Sequence, residues 1–148
     1  MEWIVKEFNQ LTSNELYSLL KARVDVFVVE QQCAYPELDG IDEACLHLFH
    51  MEDGEVMAYA RLVPAGEKYE QASIGRVLVH PTKRKMGLGR VLVQESIDHI
   101  VAHYDPKEIR LQAQSHLTGF YASFGFEAIS DEYDDDGIPH VDMLLTVR

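Results

Sequence analysis

Arg84-Lys85-Met86-Gly87-Leu88-Gly89 stands directly after the strand-like run Ile74–Val79 and directly before a helical pattern. It is the centre of a stretch from Gln71 to Gln94, bounded by Glu70 and Glu95, that contains no acidic residue, in a chain whose formal net charge is -12. A strand, a basic glycine loop and a helix in that order suit a nucleotide anion. Glycines let the backbone approach the ligand, and a helix N-terminus offers free N–H groups and positive dipole. Two familiar phosphate loops are excluded by the neighbouring residues. A P-loop needs Gly-Lys-Ser/Thr where this chain has Gly89-Arg90-Val91, and a Rossmann fingerprint needs a third small residue where Leu92 stands.

Outward from that loop, Leu88, Leu92, Val93, Ile97, Ile100, Val101 and Tyr104 trace one helical face that ends near Asp105-Pro106. Upstream, Leu46–Met51 and Val56–Val63 flank Asp53-Gly54, a strong signal for a tight hairpin. Trp3–Phe8 reads as an opening strand. Thr12 with Glu15 offers a capping box for a helix whose apolar face runs to about Val29. Downstream, Ile109–Ala113 alternates like a half-buried strand and Leu117–Phe124 reads as a short helix stopped by Gly125. Phe126–Tyr133 and Val141–Val147 read as a last hairpin around Asp134–Gly137. This predicts an α/β (α+β) fold of one domain spanning residues 1–148, a mixed and mostly antiparallel sheet of six to seven strands covered by helices. The strand Ile74–Val79 also invites a bulge near Leu78 or Val79.

Composition narrows the function classes. With 47% hydrophobic and 26% charged residues the chain is globular, and its apolar runs are far too short to cross a membrane. The start, Met1-Glu2-Trp3-Ile4, lacks the basic and apolar regions of a signal peptide, so the cytoplasm is the expected compartment. The acidic balance argues against a nucleic-acid binder, which needs a basic face rather than one short basic loop. Cys33 and Cys45 lack zinc-site spacing, so both are expected as free thiols and no metal is expected. His99 and His103 are four residues apart on a helix without the Glu of His-Glu-x-x-His, which reads as a solvated face.

Two segments together resemble the GNAT superfamily of acyl-CoA-dependent N-acetyltransferases. Arg84–Gly89 fits that family's Arg/Gln-x-x-Gly-x-Gly/Ala pyrophosphate loop, and Tyr121-Ala122-Ser123-Phe124-Gly125-Phe126 fits its Tyr-x-x-x-Gly-Phe. Val26–Gln31 and Gly137–Met143 are similar to the ElaA-type branch. The resemblance implies transfer of an acetyl group from acetyl-CoA to a primary amine by direct attack in a ternary complex. By the same resemblance, backbone groups of Val77, Leu78 and Val79 pair with the pantetheine arm. The amides of Met86, Gly87, Leu88 and Gly89 hold the pyrophosphate, and Lys83, Arg84, Lys85 or Arg90 reach the adenosine phosphates. Two alternatives stand beside this reading: an acyl-homoserine lactone synthase, because Arg23-x-x-x-Phe27 with Asp39 and Asp42 resembles part of that family's pattern, and a non-catalytic acyl-CoA-binding module.

The chemistry needs a neutral amine, a polarised carbonyl and a proton for the leaving thiolate. Tyr121 is the candidate general acid by its motif. The base is open, because Ala72–Arg76 offers no carboxylate early in the cofactor-binding strand; proton loss through water is one route. Glu30, within the acidic segment Glu30–Glu43, is the candidate base or acceptor-binding residue, and such a segment also suits recognition of a cationic amine. Arg23 and Arg76 stand in apolar surroundings, and one of them is expected to pair with Glu30 or Asp42. The acceptor's identity stays open, and a homodimer is one arrangement that short enzymes of this fold adopt.

Overall fold

The computed structural model describes residues 1–148. The strands and helices are β1 Ile4–Glu7, α1 Ser13–Val24, β2 Leu46–Glu52, β3 Glu55–Val63, β4 Ala72–Val79, α2 Leu88–Tyr104, β5 Glu108–Gln114, α3 Thr118–Ala122, β6 Glu127–Ala128, β7 Tyr133–Asp135 and β8 Ile138–Thr146. They form one sheet in the order β1-β2-β3-β4-β5-β8-β6, with β7 pairing the other end of β8. Every pair is antiparallel except β4 with β5. The mixed, mostly antiparallel sheet expected from the sequence is present, with eight strands in place of six to seven.

Local chemistry sets most of the boundaries. Thr12 caps α1, accepting from Glu15 N–H at 3.1 Å, while Glu15 accepts from Thr12 N–H at 2.9 Å. The helical path does not end at Val24 but widens into a π-type turn over Asp25–Glu30, which carries the apolar face on through Val26 and Phe27 and leaves Val29, expected at its end, exposed. The turn between β2 and β3 takes positive φ at both Asp53 and Gly54, as a type I′ hairpin requires. The last hairpin differs from expectation. Its tight turn is Asp136-Gly137, both at positive φ, so β8 begins at Ile138 instead of Val141, and the first arm is broken into β6 and β7.

Two apolar layers sandwich the sheet. Leu88, Leu92, Val93 and Ile100 of α2 pack with Leu48, Ala58, Ala60, Leu62, Ile74, Leu111 and Met143 on one face. Leu19 of α1 and Val26 pack with Phe49, Tyr59 and Leu78 on the other. Ile74 and Leu78 should share a face by strict alternation, yet they lie on opposite faces. The cause is a bulge: Arg76 and Val77 together oppose Ala60, and Arg76 adopts φ +52°. One extra residue reverses the pleat beyond it. The bulge lies one to two residues before the position expected from sequence.

Past the bulge the sheet opens. β4 pairs with β5 only at Ala72–Ile109 and Ser73–Arg110. Beyond those two pairs the strands diverge, β5 staying with β8 through Gln114–His140. A V-shaped gap therefore opens in the middle of the sheet, between the end of β4 and the end of β5.

Candidate active site

The gap is the heart of a cleft of about 520 Å³. One wall is the end of β4. His80 N–H donates to Met57 O at 2.8 Å, and the antiparallel alternation this sets directs Leu78 toward Tyr59. Val79 N–H and Val77 C=O consequently point away from β3, across the gap that β5 has vacated. An extended ligand laid there meets the unpaired edge of a strand.

At the mouth of the gap lies the glycine loop. Gly87 is the N-cap of α2 in the left-handed region (φ +80°), Lys85 is also left-handed (φ +65°), and no side chain caps the helix. No backbone N–H from Lys85 to Arg90 makes a hydrogen bond within the protein. These donors, at the positive end of a 17-residue helix, form a ready seat for phosphate. Gly89 brings the helix close to the strand: a Cβ there would lie 3.8 Å from Val79 and 3.9 Å from Phe120.

The basic side chains have divided roles. Arg84 donates from Nε to Val79 O at 3.0 Å and forks onto both oxygens of Glu30 at 2.7 and 3.0 Å. Arg90 donates to Ser123 Oγ at 3.0 Å and lies 5.0 Å from the centroid of the Phe124 ring. Lys83 pairs with Glu52 at 3.2 Å. Lys85 has no acidic partner and lines the cleft, which leaves it the free cation beside the unbonded amides. Glu30 lines the cleft too, but with both oxygens held by Arg84 it is a strut between the π-turn and the glycine loop. That engagement speaks against Glu30 as the base.

Tyr121, on α3, lines the cleft from the α2 side. It is 6% exposed, and its ring is held edge-on between Phe120 and Phe126 at 5.2 and 6.1 Å. Burial, with no hydrogen bond contributing, pushes its phenol up to about 12. The hydroxyl therefore stays protonated at neutral pH and has a proton to give.

Three carboxylates of the acidic segment, Glu37, Asp39 and Asp42, are spent on structure. Arg23, with no exposed side-chain surface, donates to Glu37 at 2.6 Å and to Asp42 at 2.8 Å. Arg61, equally buried, binds Asp39 at 2.7 Å and Asp42 at 3.0 Å. Arg76 donates to Glu37 from Nε at 2.9 Å and to its carbonyl at 3.0 Å. Burial alone would raise the pKa values of Asp39 and Asp42; Arg61 with Arg76, and Arg23 with Arg61, hold them below the usual carboxylate range instead. Arg23 is the one that pairs with Asp42; Arg76 pairs with Glu37 and Asp39. Its bonds also fix the strained bulge that aims Val79.

On the same sheet face stands a second polar group. Asp142 of β8 accepts from Arg110 at 2.6 Å and from the Tyr133 hydroxyl, and Gln112 donates to that hydroxyl at 2.8 Å. His140 stacks on the Tyr133 ring at 6.3 Å, and His116 lies near it on the cleft wall. Sequence reasoning singled out none of His140, Tyr133, Asp142 and Arg61 for a role. The alternation of His140 and Asp142 with the core residues Val141 and Met143 was the one signal available. His99 and His103 stack on each other at 5.9 Å, Cys33 and Cys45 are free, and no group of side chains suited to a metal ion is present. No helix is long and apolar enough to cross a membrane.

Comparison with known proteins agrees with this geometry. The family model for the acetyltransferase (GNAT) domain matches residues 12–147. A UPF0039 protein of Schizosaccharomyces pombe is 44% identical over 98% of this chain and 97% of its own. Protein ElaA of Escherichia coli is 37% identical over 99% and 97% of the two chains. The ElaA crystal structure superposes with a TM-score of 0.91 over 98% of this chain and 99% of that one, at 36% identity. An acyl-CoA N-acyltransferase from Pseudomonas aeruginosa does so with a TM-score of 0.92 over 99% and 100%, at 38% identity.

Proposed function

Because the chain belongs to the GNAT acetyltransferase family, we propose that residues 1–148 act as one cytoplasmic domain that moves an acetyl group from acetyl-CoA to a primary amine, by direct attack in a ternary complex. The observation that carries this reading is the gap beyond the β4 bulge, where an unpaired strand edge leads to a row of unbonded amides at the start of α2. Pantetheine lies along Val77–Val79 as an added strand, accepting from Val79 N–H and donating to Val77 C=O. The pyrophosphate sits on the amides of Met86–Gly89, with Lys85 as its cation.

In that pose the thioester lies at the level of the bulge. A fixed backbone N–H there polarises its carbonyl as the amine attacks, an effect that in comparable sites contributes about 10²- to 10³-fold. The C–S bond breaks with its electron pair on sulfur, and the Tyr121 hydroxyl supplies the proton. The acceptor enters from the face carrying the arginine network. Glu37, Asp39 and Asp42 are already neutralised there, so a cationic acceptor would be read by Asp135 and Asp136 of the β7–β8 turn, which line the cleft and have no cationic partner.

Calorimetric titration with acetyl-CoA and with CoA tests the donor site, and thiol release from acetyl-CoA across a panel of primary amines tests transfer. Binding at sub-millimolar concentration with amine-stimulated thiol release is expected. No binding of either ligand refutes the donor site; binding without amine-stimulated release refutes transfer and leaves an acyl-CoA-binding module.

A further inference from the structure

We propose that His140 is the general base that deprotonates the acceptor amine, an inference that rests on the transferase reading above. The geometry fixes its chemistry first. Nδ1 lies 2.8 Å from Ile138 O, and a carbonyl can only accept, so Nδ1 carries the ring proton. The lone pair of the neutral ring is therefore at Nε2. That nitrogen has no hydrogen-bond partner in the protein, and the residue lines the cleft. A backbone carbonyl that sets the tautomer and leaves the other nitrogen basic is the arrangement general-base work requires.

The strand register sets its placement. Val141 and Met143 pack into the core on the α2 side, the side from which Tyr121 enters. His140 alternates with them and stands on the opposite face, paired with Gln114 at the diverging end of β5. A thioester in the gap thus has the Tyr121 phenol on one side and the His140 imidazole on the other. The groups around His140 are Tyr133 and Asp135 of β7, Asp136 of the turn, Gln112 and Gln114 of β5, Asp142 two residues along β8 with its partner Arg110, and His116 in the turn after β5. The Tyr133 ring on which His140 stacks is fixed at its hydroxyl by Asp142 and Gln112. The ring of His140 is therefore held from one face and from Nδ1.

Other bases are less suited. Glu30 is forked onto Arg84, and Glu37, Asp39 and Asp42 are bound by arginine. An imidazole also titrates nearer neutrality than a carboxylate, which favours it for this task. Protons and electron pairs balance across the step. The amine arrives as an ammonium, and Nε2 takes one proton. The freed lone pair forms the N–C bond, and the C–S pair leaves on sulfur with the Tyr121 proton. The nitrogen then loses a second proton to water, water restores Tyr121, and His140 discharges its proton to solvent.

His140→Asn tests this, since an Asn amide can still donate to Ile138 O but cannot act as a base. The probes are glycinamide, 2-phenylethylamine and spermidine, with thiol release from saturating acetyl-CoA monitored against pH and acetyl-CoA affinity measured calorimetrically; His140→Gln serves as the second variant. The expected result is a fall in kcat/KM for the amine of about 10²-fold or more at neutral pH. That loss should shrink as the pH approaches the amine's own pKa, the acid limb of the profile should move up toward that value, and acetyl-CoA affinity should be unchanged. A loss equal at every pH, or an unaltered pH profile in both variants, overturns the base role while leaving the transferase intact. A wild-type protein that binds acetyl-CoA but releases no thiol with any probe overturns the transferase reading and the base together.

Discussion

Replacing Arg23 by Met should destabilise the protein through charge rather than through packing. The Arg23 side chain is wholly buried, donates to Glu37 at 2.6 Å and Asp42 at 2.8 Å, and lies 5.7 Å from the Tyr59 ring centroid. Removing one member of a buried ion pair costs about 3–5 kcal/mol, because the other charge is left desolvated. Here Glu37 keeps Arg76 and Asp42 keeps Arg61, which puts the expected loss at the lower end, about 3 kcal/mol. For a domain of this size that corresponds to a fall in Tm of about 6–12 °C. The pH dependence separates charge from packing. Arg23 and Arg61 hold the folded-state pKa of Asp42 below its unfolded value, so its stabilisation is present above about pH 4 and is lost as the pH falls through the depressed folded value. Arg23→Met weakens that depression, so the gap between wild type and variant should be full at pH 7 and narrow as the pH is lowered to about 3. Urea unfolding across this range, with m unchanged, measures it. A loss below about 1 kcal/mol at pH 7, or one that does not vary with pH, refutes the reasoning.

Three further outcomes bear on the cleft. Gly87→Glu should abolish acetyl-CoA binding by calorimetry, because it places a carboxylate and a strained left-handed residue (φ +80°) among the unbonded amides; unchanged affinity would move the pyrophosphate elsewhere. Tyr121→Phe keeps the aromatic packing and should lower kcat by about 10²-fold with acetyl-CoA affinity unchanged, whereas an unaltered kcat would make the hydroxyl a spectator. Glu30→Gln should cost under about 1 kcal/mol of stability, since the pair with Arg84 is 40% and 38% exposed. It should nonetheless weaken acetyl-CoA binding several-fold by releasing the glycine loop, and equal affinity in stopped-flow or calorimetric titration would show that the loop holds itself.

The strand, glycine loop and helix proposed to hold the donor were legible in the sequence because their signals are local. Three consecutive elements, β4, the loop Arg84–Gly89 and α2, carry them, and glycine with positive φ leaves a mark that a single segment displays. The face proposed for the acceptor was not legible, because its contacts join residues far apart in the chain: Arg23 to Glu37, Arg61 to Asp39, Tyr133 to Gln112. The acidic segment Glu30–Glu43 looked like a surface awaiting a cation. In the fold Glu37, Asp39 and Asp42 are met by arginines from α1, β3 and β4, and Glu30 by one from the glycine loop, while Glu43 stays exposed. The last hairpin was misplaced for a related reason. Asp134-Asp135-Asp136-Gly137 offers several turn positions, and only the pairing of β7 with β8 selects Asp136-Gly137.

The arginine network and the proposed donor site are one construction. A non-glycine residue at φ +52° costs about 1 kcal/mol or more, so the Arg76 bulge persists only because something outside the strand holds it. That something is Glu37, which is itself seated on Arg23 of α1 and bonded at 2.5 Å to the Tyr35 hydroxyl. Without the bulge the pleat of β4 would continue, and Leu78 would turn toward α2. Val79 would then offer its N–H to β3 rather than to the gap. The buried charges on the α1 face thereby set the direction of a backbone donor in the cleft. Substitutions at Arg23, Glu37 or Arg76 should therefore reach the chemistry as well as the stability, even though none of the three lies in the glycine loop.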